Sequence, residues 1–294
     1  MRAESETLEV QRSATRRYWD AHPIATDSVP YPRGTRESFD AIFQDWERRM
    51  DPRRLAFLDS CAGKSVLEVG CGIAVDGRYL ASLGARYQAV DLSRESLRLA
   101  VTHFALKGLR GGFANADATR LPFADGSFDV VMSIGVLHHV PDMESACREV
   151  VRVTRPGGIV RIMLYNRRSY HFLLVDRVVR PLMWLLQKLP FGAQLARFAP
   201  RKFQQIDEIC RRHGFDRQRV LSASTDWSEP GEGNFNPLSH FVSAGEARRL
   251  FAGLTDFQFY RTDLKYFPIP WLRAPVERYF GFFLQMTARK PDAA

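Results

Sequence analysis

The chain has 294 residues, 45% of them hydrophobic, with 42 basic side chains against 33 acidic ones and a net charge of +9; that is enough apolar material for one large α/β domain with additions, or for two small domains. No apolar run reaches the roughly 18 residues of a membrane span, and the Met1 end is polar, without an apolar targeting segment, which predicts a soluble, cytoplasmic protein. Four scattered cysteines, Cys61, Cys71, Cys147 and Cys210, exclude a disulfide framework, and Cys210-x-x-His213 has no second ligand pair, so no metal site is expected.

Residues 1–60 carry helical patterns broken by Pro23, Pro30 and Pro32, with a helix predicted over about 36–49. An apolar strand over 65–69 then runs into Gly70-Cys71-Gly72-Ile73-Ala74, a helix follows from about Asp76, and a second strand over 86–91 ends on Asp91. This arrangement binds an adenosine group. Glycines let the backbone approach the ligand, and a carboxylate ending the second strand accepts hydrogen bonds from ribose hydroxyls. A dinucleotide is a poor fit, because its fingerprint needs a small residue where Val75 stands and Glu68, ahead of the glycines, would repel a pyrophosphate. The acid suits a ligand that carries an ammonium and a sulfonium.

A helix from about Arg94, capped by Ser93, leads to a short strand near 112–116 and a strand over 128–133. A helix over about Met143–Val153, stopped by Pro156-Gly157-Gly158, precedes a strand over 159–165. The alternation predicts a doubly wound parallel sheet, whose ligands bind beyond the carboxyl ends of the strands, after Val69, Val90, Ala116, Ser133 and Tyr165. From 167 to about 240 the rhythm gives way to an interrupted, basic amphipathic helical region with a break at Pro181. Ser243-Ala244-Gly245-Glu246 is a capping box opening a helix to about Phe251, and two strands follow near 256–262 and 281–288.

The glycine turn with Glu68 and Asp91 resembles that of class I S-adenosylmethionine-dependent methyltransferases, and later blocks narrow the resemblance to the type 11 small-molecule group. These blocks are Asn115-Ala116-Asp117-Ala118-Thr119-Arg120-Leu121-Pro122-Phe123, the run from Phe128 through Leu137-His138-His139-Val140-Pro141-Asp142, and Arg148-Glu149-Val150-Val151-Arg152-Val153-Thr154-Arg155-Pro156-Gly157-Gly158. Ala74 replaces the usual third glycine, a change expected to be mild because alanine is small, and Thr119 stands where an acid is common. The resemblance implies a Rossmann-like seven-stranded sheet with the last strand antiparallel. It implies S-adenosylmethionine as methyl donor, leaving as S-adenosylhomocysteine. Glu68, Gly70, Cys71 and Gly72 would hold its amino-acid end, Asp91 and Leu92 its ribose, and Asp117 and Ala118 its adenine, with Ser133 and Ile134 beside it. His138 or His139 would serve as base if the acceptor is a hydroxyl. Tyr18 and Trp19 would close over the donor, and Tyr165 and Asn166 would face the acceptor.

The division expected is a front helical extension or lid over 1–60, a donor-binding core over 61–165, a helical cap insertion over 166–241 and a completion of the sheet over 242–294. The aromatic C-terminal part and the insertion offer apolar surface to a bulky small-molecule acceptor such as a polyketide, sugar conjugate, isoprenoid or quinone. Oxygen, nitrogen and carbon stay open as the methylated atom, as does the oligomeric state. Alternatives are methylation of tRNA, suggested by the basic charge but without a separate RNA-binding module, and a non-catalytic binding protein that keeps the fold. Basic and large apolar residues at helical spacing over 171–202 also suit a peripheral membrane contact.

Overall fold

A sheet covered on both faces needs strands that are apolar on both sides, and the first strand has this pattern: Val66 enters one core, Leu67 and Val69 the other. The computed structural model describes residues 2–179, 181–182, 185, 236, 238–264 and 269–292. Three front helices, α1 (Arg2–Ala21), α2 (Arg36–Arg49) and α3 (Pro52–Asp59), precede β1 (Ser65–Val69), α4 (Val75–Ser82), β2 (Arg86–Asp91), α5 (Arg94–Lys107) and β3 (Gly112–Asn115). Then come β4 (Phe128–Ile134), a 3-10 turn (Leu137–His139), α6 (Met143–Val153) and β5 (Thr154–Asn166). A π-helical segment (His171–Val179) opens the next region, and β6 (Phe241–Val242), α7 (Ala244–Leu250), β7 (Thr255–Thr262), α8 (Arg273–Phe280) and β8 (Phe283–Arg289) complete the fold.

The strands lie in the order β3-β2-β1-β4-β5-β8-β7. The first five are parallel, and β8 inserts antiparallel between β5 and β7, as the resemblance implies. The two-residue β6 adds to the end of β5, pairing Tyr165 with Phe241 and Asn166 with Val242. β5 starts earlier than the 159 expected from the sequence: Thr154 already pairs with Phe128, and Pro156-Gly157-Gly158 falls at an irregularity in the register rather than before the strand. α8 was not foreseen, and 186–235 of the predicted cap, with Cys210 and His213, lie outside the described residues. Among the described residues no helix is long and apolar enough to cross a membrane.

One face of the sheet packs on α6 and α7, through Val150, Val153, Ala247 and Phe251; the other packs on α3, α4 and α5, through Leu58, Leu80, Ala100 and Phe104. The front helices are fastened above the carboxyl ends. Phe39 and Ile42 of α2 pack on Ile73 and Leu99, Arg78 donates to Asp40 at 2.9 Å, and Asp20 at the end of α1 accepts from the Ser93 hydroxyl at 2.8 Å.

Ala74 caps α4 in the left-handed region, at φ 55° and ψ 50°. Beside the size on which the expectation of a mild change rests, the demand at this position is conformational. A left-handed Cβ costs about 1–2 kcal/mol, against about 0.8 kcal/mol for one buried methyl. Ala74→Gly is thus expected to leave stability unchanged or raise it by up to about 1 kcal/mol in urea denaturation. A loss of about 1 kcal/mol or more would show that the turn is unstrained.

Candidate active site

The turn after β1 is tied to the end of β2. Gly70 and Cys71 both donate to the Val90 carbonyl, at 2.8 and 3.2 Å. Gly72 N–H donates to Asp91 Oδ2 at 2.8 Å and Ser93 N–H to Oδ1 at 2.8 Å. Gly70 has φ +79°, and a Cβ there would run into Val136, so the backbone itself forms the wall of the site. That wall borders a cavity of about 340 Å³ running across the carboxyl ends of β1, β2 and β4 and roofed by the front helices.

At one end three buried or half-buried carboxylates gather. Glu68 is buried and accepts from the Tyr87 hydroxyl. Asp76 accepts from Trp46 Nε1 at 2.6 Å and pairs with Arg54. Burial, and then the charge of Asp76, raises the Glu68 carboxyl to about 8, with the Tyr87 hydrogen bond opposing the rise. Burial likewise raises Asp91 to about 6 against the two backbone N–H bonds it accepts. Arg54 is half-buried, and its ion pair with Asp76 more than offsets the cost of desolvation. Its Nε has no hydrogen-bond partner among the described residues.

At the other end Asp117 accepts from Thr119 N–H at 2.9 Å and forms a 2.6 Å ion pair with Arg12 of α1. Trp19 and His139 also line the cavity, their ring centroids 5.6 Å apart.

Of the residues expected at the site, Trp19, Glu68, Gly70, Cys71, Gly72, Asp91, Leu92, Asp117, Ala118, Ile134 and His139 line this cavity. Ser133 does not: its hydroxyl is buried and donates to the Val69 carbonyl at 2.8 Å, bracing β4 on β1. His138 is fully buried, 3.8 Å from the Tyr165 ring, and desolvation depresses its basicity well below the usual histidine range; a group sealed in this way does not reach a ligand in the cavity. Tyr165 is packed among His138, Phe241 and Phe282. Asn166 spends its amide donating to the Gly281 carbonyl at 2.9 Å and accepting from Arg168 N–H. Tyr18 turns inward onto His22 and Trp19. None of these five lines the cavity.

Arg54, Asp76, Trp46 and Arg12 do line it and were not singled out from the sequence. The one signal for Arg54 was Asp51-Pro52, a cap and first-turn proline that start α3 and fix the turn carrying Arg54; the Asp51 side chain accepts from the Arg53 and Arg54 amides.

The sequence model of a family described as a methyltransferase domain matches residues 67–162. The ubiquinone biosynthesis O-methyltransferase of Cupriavidus pinatubonensis is 34% identical over 201 residues, covering 66% of this chain and 74% of that protein. Its counterpart in Chromobacterium violaceum is 34% identical over 205 residues, covering 67% and 81%. Methyltransferase GfsG of Streptomyces halstedii is 37% identical over 140 residues, 47% of this chain and 50% of the other. Among solved structures, an S-adenosylmethionine-dependent methyltransferase of Methanosarcina mazei superposes with a TM-score of 0.52 at 18% identity, covering 83% of this chain and 99% of that one. The [4+2]-cyclase SpnF superposes at 0.50 and 18%, covering 82% and 81%. At such identities the structures support the fold alone.

A cation placed beside Glu68 favours its ionised form, so a ligand with an ammonium there must expel the proton that burial keeps on the group below pH 8. S-adenosylmethionine, the ligand the resemblance implies, is therefore expected to bind with proton release at pH 7. Its affinity should rise from pH 6 to 8 by up to about tenfold per pH unit for one proton. Calorimetry in two buffers of different ionisation enthalpy measures the release; Glu68→Gln should flatten the pH dependence, and a wild-type affinity that is flat across this range would contradict the assignment.

Proposed function

The chain belongs to the class I S-adenosylmethionine-dependent methyltransferases of the type 11 group, and we propose that it methylates a hydroxyl of a small, largely apolar molecule, with His139 as the base. The observation that carries this reading is that His139 lines the same cavity as Glu68, Asp91 and Asp117.

The residues present fit the donor. The guanidinium of Arg54, which lines the cavity, suits the carboxylate of its amino-acid end, and Glu68 suits the ammonium. Asp91 would take the ribose hydroxyls and Asp117 the adenine amino group, with the Ala118 amide reading the ring and Gly70, Cys71, Gly72, Leu92 and Ile134 shaping the walls. When bound, S-adenosylmethionine supplies a methyl group on a sulfonium, whose sulfur leaves as a neutral thioether.

The chain's own contribution is alignment and dryness. Trp19 lines the cavity with an aromatic ring, a group able to attract a cation and exclude water. His139 takes the acceptor's hydroxyl proton as the oxygen becomes nucleophilic. Val136, Val140 and Pro141 next to it make that end apolar. The relatives' names, with O-methyltransferase recurring among them, favour a small-molecule hydroxyl over RNA. On this reading 1–60 is the lid, 61–165 the donor-binding core, 166–241 the acceptor cap and 242–294 the part that completes the sheet.

Incubation with methyl-labelled S-adenosylmethionine, offered both a prenylated catechol and fractionated cell extract, is expected to place the label in a methyl ether. His139→Ala should lower kcat by about 100-fold or more while leaving the donor's affinity unchanged. His138→Ala should act mainly on stability. Label found on nitrogen, carbon or tRNA would overturn the reading.

A further inference from the structure

One face of α1 runs along the cavity. Leu8, Arg12, Thr15 and Trp19 all line it, and their spacing alternates between four and three residues, the repeat that puts side chains on one side of a helix. On this face Arg12 meets Asp117, its Nε 2.6 Å from Asp117 Oδ2, with 33% of the arginine side chain and 22% of the aspartate exposed. Asp117 Oδ1 accepts from the Thr119 amide at 2.9 Å. Each oxygen of this carboxylate therefore already has a donor. The guanidinium is also held on its own helix, where Nη1 donates to Glu9 Oε2 at 2.8 Å.

We propose that Arg12 competes with the adenine amino group for the Asp117 carboxylate, so that the ion pair weakens the hold on the methyl donor and on its demethylated product alike. The inference rests on the reading of Asp117 as the partner of adenine.

A carboxylate oxygen has two lone pairs, so an amino group and a guanidinium can share Oδ2. Sharing still weakens both contacts, because the two donors draw on one negative charge and bring their positive hydrogens together. The coupling is reciprocal: what the ion pair takes from adenine binding, adenine takes from the ion pair. Arg12 is a strong rival, since its contact is charge-assisted at both ends and that of a neutral amino group at one.

Arg12 also has somewhere to go. Glu9 keeps hold of Nη1 when Nε lets go, and Asp142 lines the same cavity. Burial raises the Asp142 carboxyl, but the Ser145 hydrogen bonds and the charges of Arg148 and Arg12 outweigh that and bring it below the usual carboxylate range. Displacement from Asp117 thus leaves the guanidinium within the field of two other carboxylates. The product differs from the donor only in the lost methyl and the charge on sulfur, at a distance from the adenine. It meets the same rival, so the pair lowers product affinity by the same factor and favours its release.

The test is calorimetric titration of the full-length protein with S-adenosylhomocysteine at low salt. Arg12→Met and Arg12→Gln both keep a good helix former at this partly exposed position. Each should bind the probe about two- to fivefold more tightly than wild type, the range open to an ion pair of partly exposed side chains. The gain should shrink as salt is raised to about 1 M, where the wild-type pair is screened. It should vanish in an Asp117→Ala background, because no carboxylate is left to contest. Losing a mere helix tie would weaken binding instead, so unchanged or weaker binding by both Arg12 variants overturns the competition, as does a gain that persists in the Asp117→Ala background. Asp117→Ala alone should lower affinity about tenfold or more, as loss of a hydrogen bond to a charged group does. Unchanged affinity there overturns the adenine reading and the competition together, whereas a loss there beside unaltered Arg12 variants overturns the competition alone.

Discussion

Glu68, Asp76 and Asp91 crowd the carboxyl ends of β1 and β2, and Arg54 is the half-buried cation set against them. Burial alone would leave such a cluster unstable, since each carboxylate removed from water must be protonated, paired or hydrogen-bonded. The fold uses all three solutions. Glu68 is held largely protonated at neutral pH with the Tyr87 hydroxyl on it, Asp76 is paired, and Asp91 accepts two backbone N–H groups. The glycine turn, the packing of Tyr87 beneath it and the placement of α3 over the sheet all follow from the need to hold these acids in one place. On the proposed reading, a ligand that brings an ammonium and a carboxylate would complete the cluster.

That need also explains why the front helices belong to the site. The sheet supplies the acids and the turn, but the cation and the roof come from elsewhere: Arg54 from α3, Trp46 from α2, Trp19 and Arg12 from α1. Each helix is tied separately to the layer below, α2 through Asp40 with Arg78 and Lys107, α1 through Asp20 with Ser93 and Arg12 with Asp117. α1 combines polar, partly exposed ties with the buried Tyr18, and α2 and α3 add apolar contacts such as Phe39, Ile42 and Leu58.

Strands and glycine turn were legible in the sequence because β-branched runs, glycines and acids report local geometry directly, and Glu68, Asp91 and Asp117 fall where that reading put them. The misplacements have a common cause. Knowing that a strand ends at Ser133 or Asn166 says which residues lie near the crevice but not which way each points, and hydrogen bonds to Val69 and Gly281 decide it. Two adjacent histidines read identically in sequence; the Tyr165 ring packs on the buried His138, whereas His139 lies against the Leu238 carbonyl and lines the cavity. Arg54 and Trp46 lie in a stretch with no motif, where function depends on how an extension folds back. At Ala74 size was legible and backbone handedness was not.

The antiparallel strand β8 sits between β5 and β7, pairing Ile159 with Arg289 and Tyr165 with Phe283. Its partner strand β5 is complete more than a hundred residues before β8 emerges from the ribosome. Until then the apolar edge of β5 has no neighbour to hydrogen-bond along most of its length, a template for wrong strand pairing. The sheet can close only once β8 has been made, through contacts of high sequence separation that form slowly. Truncating the chain ahead of β8 would remove a central strand rather than a tail, and expose both β5 and β7 at once.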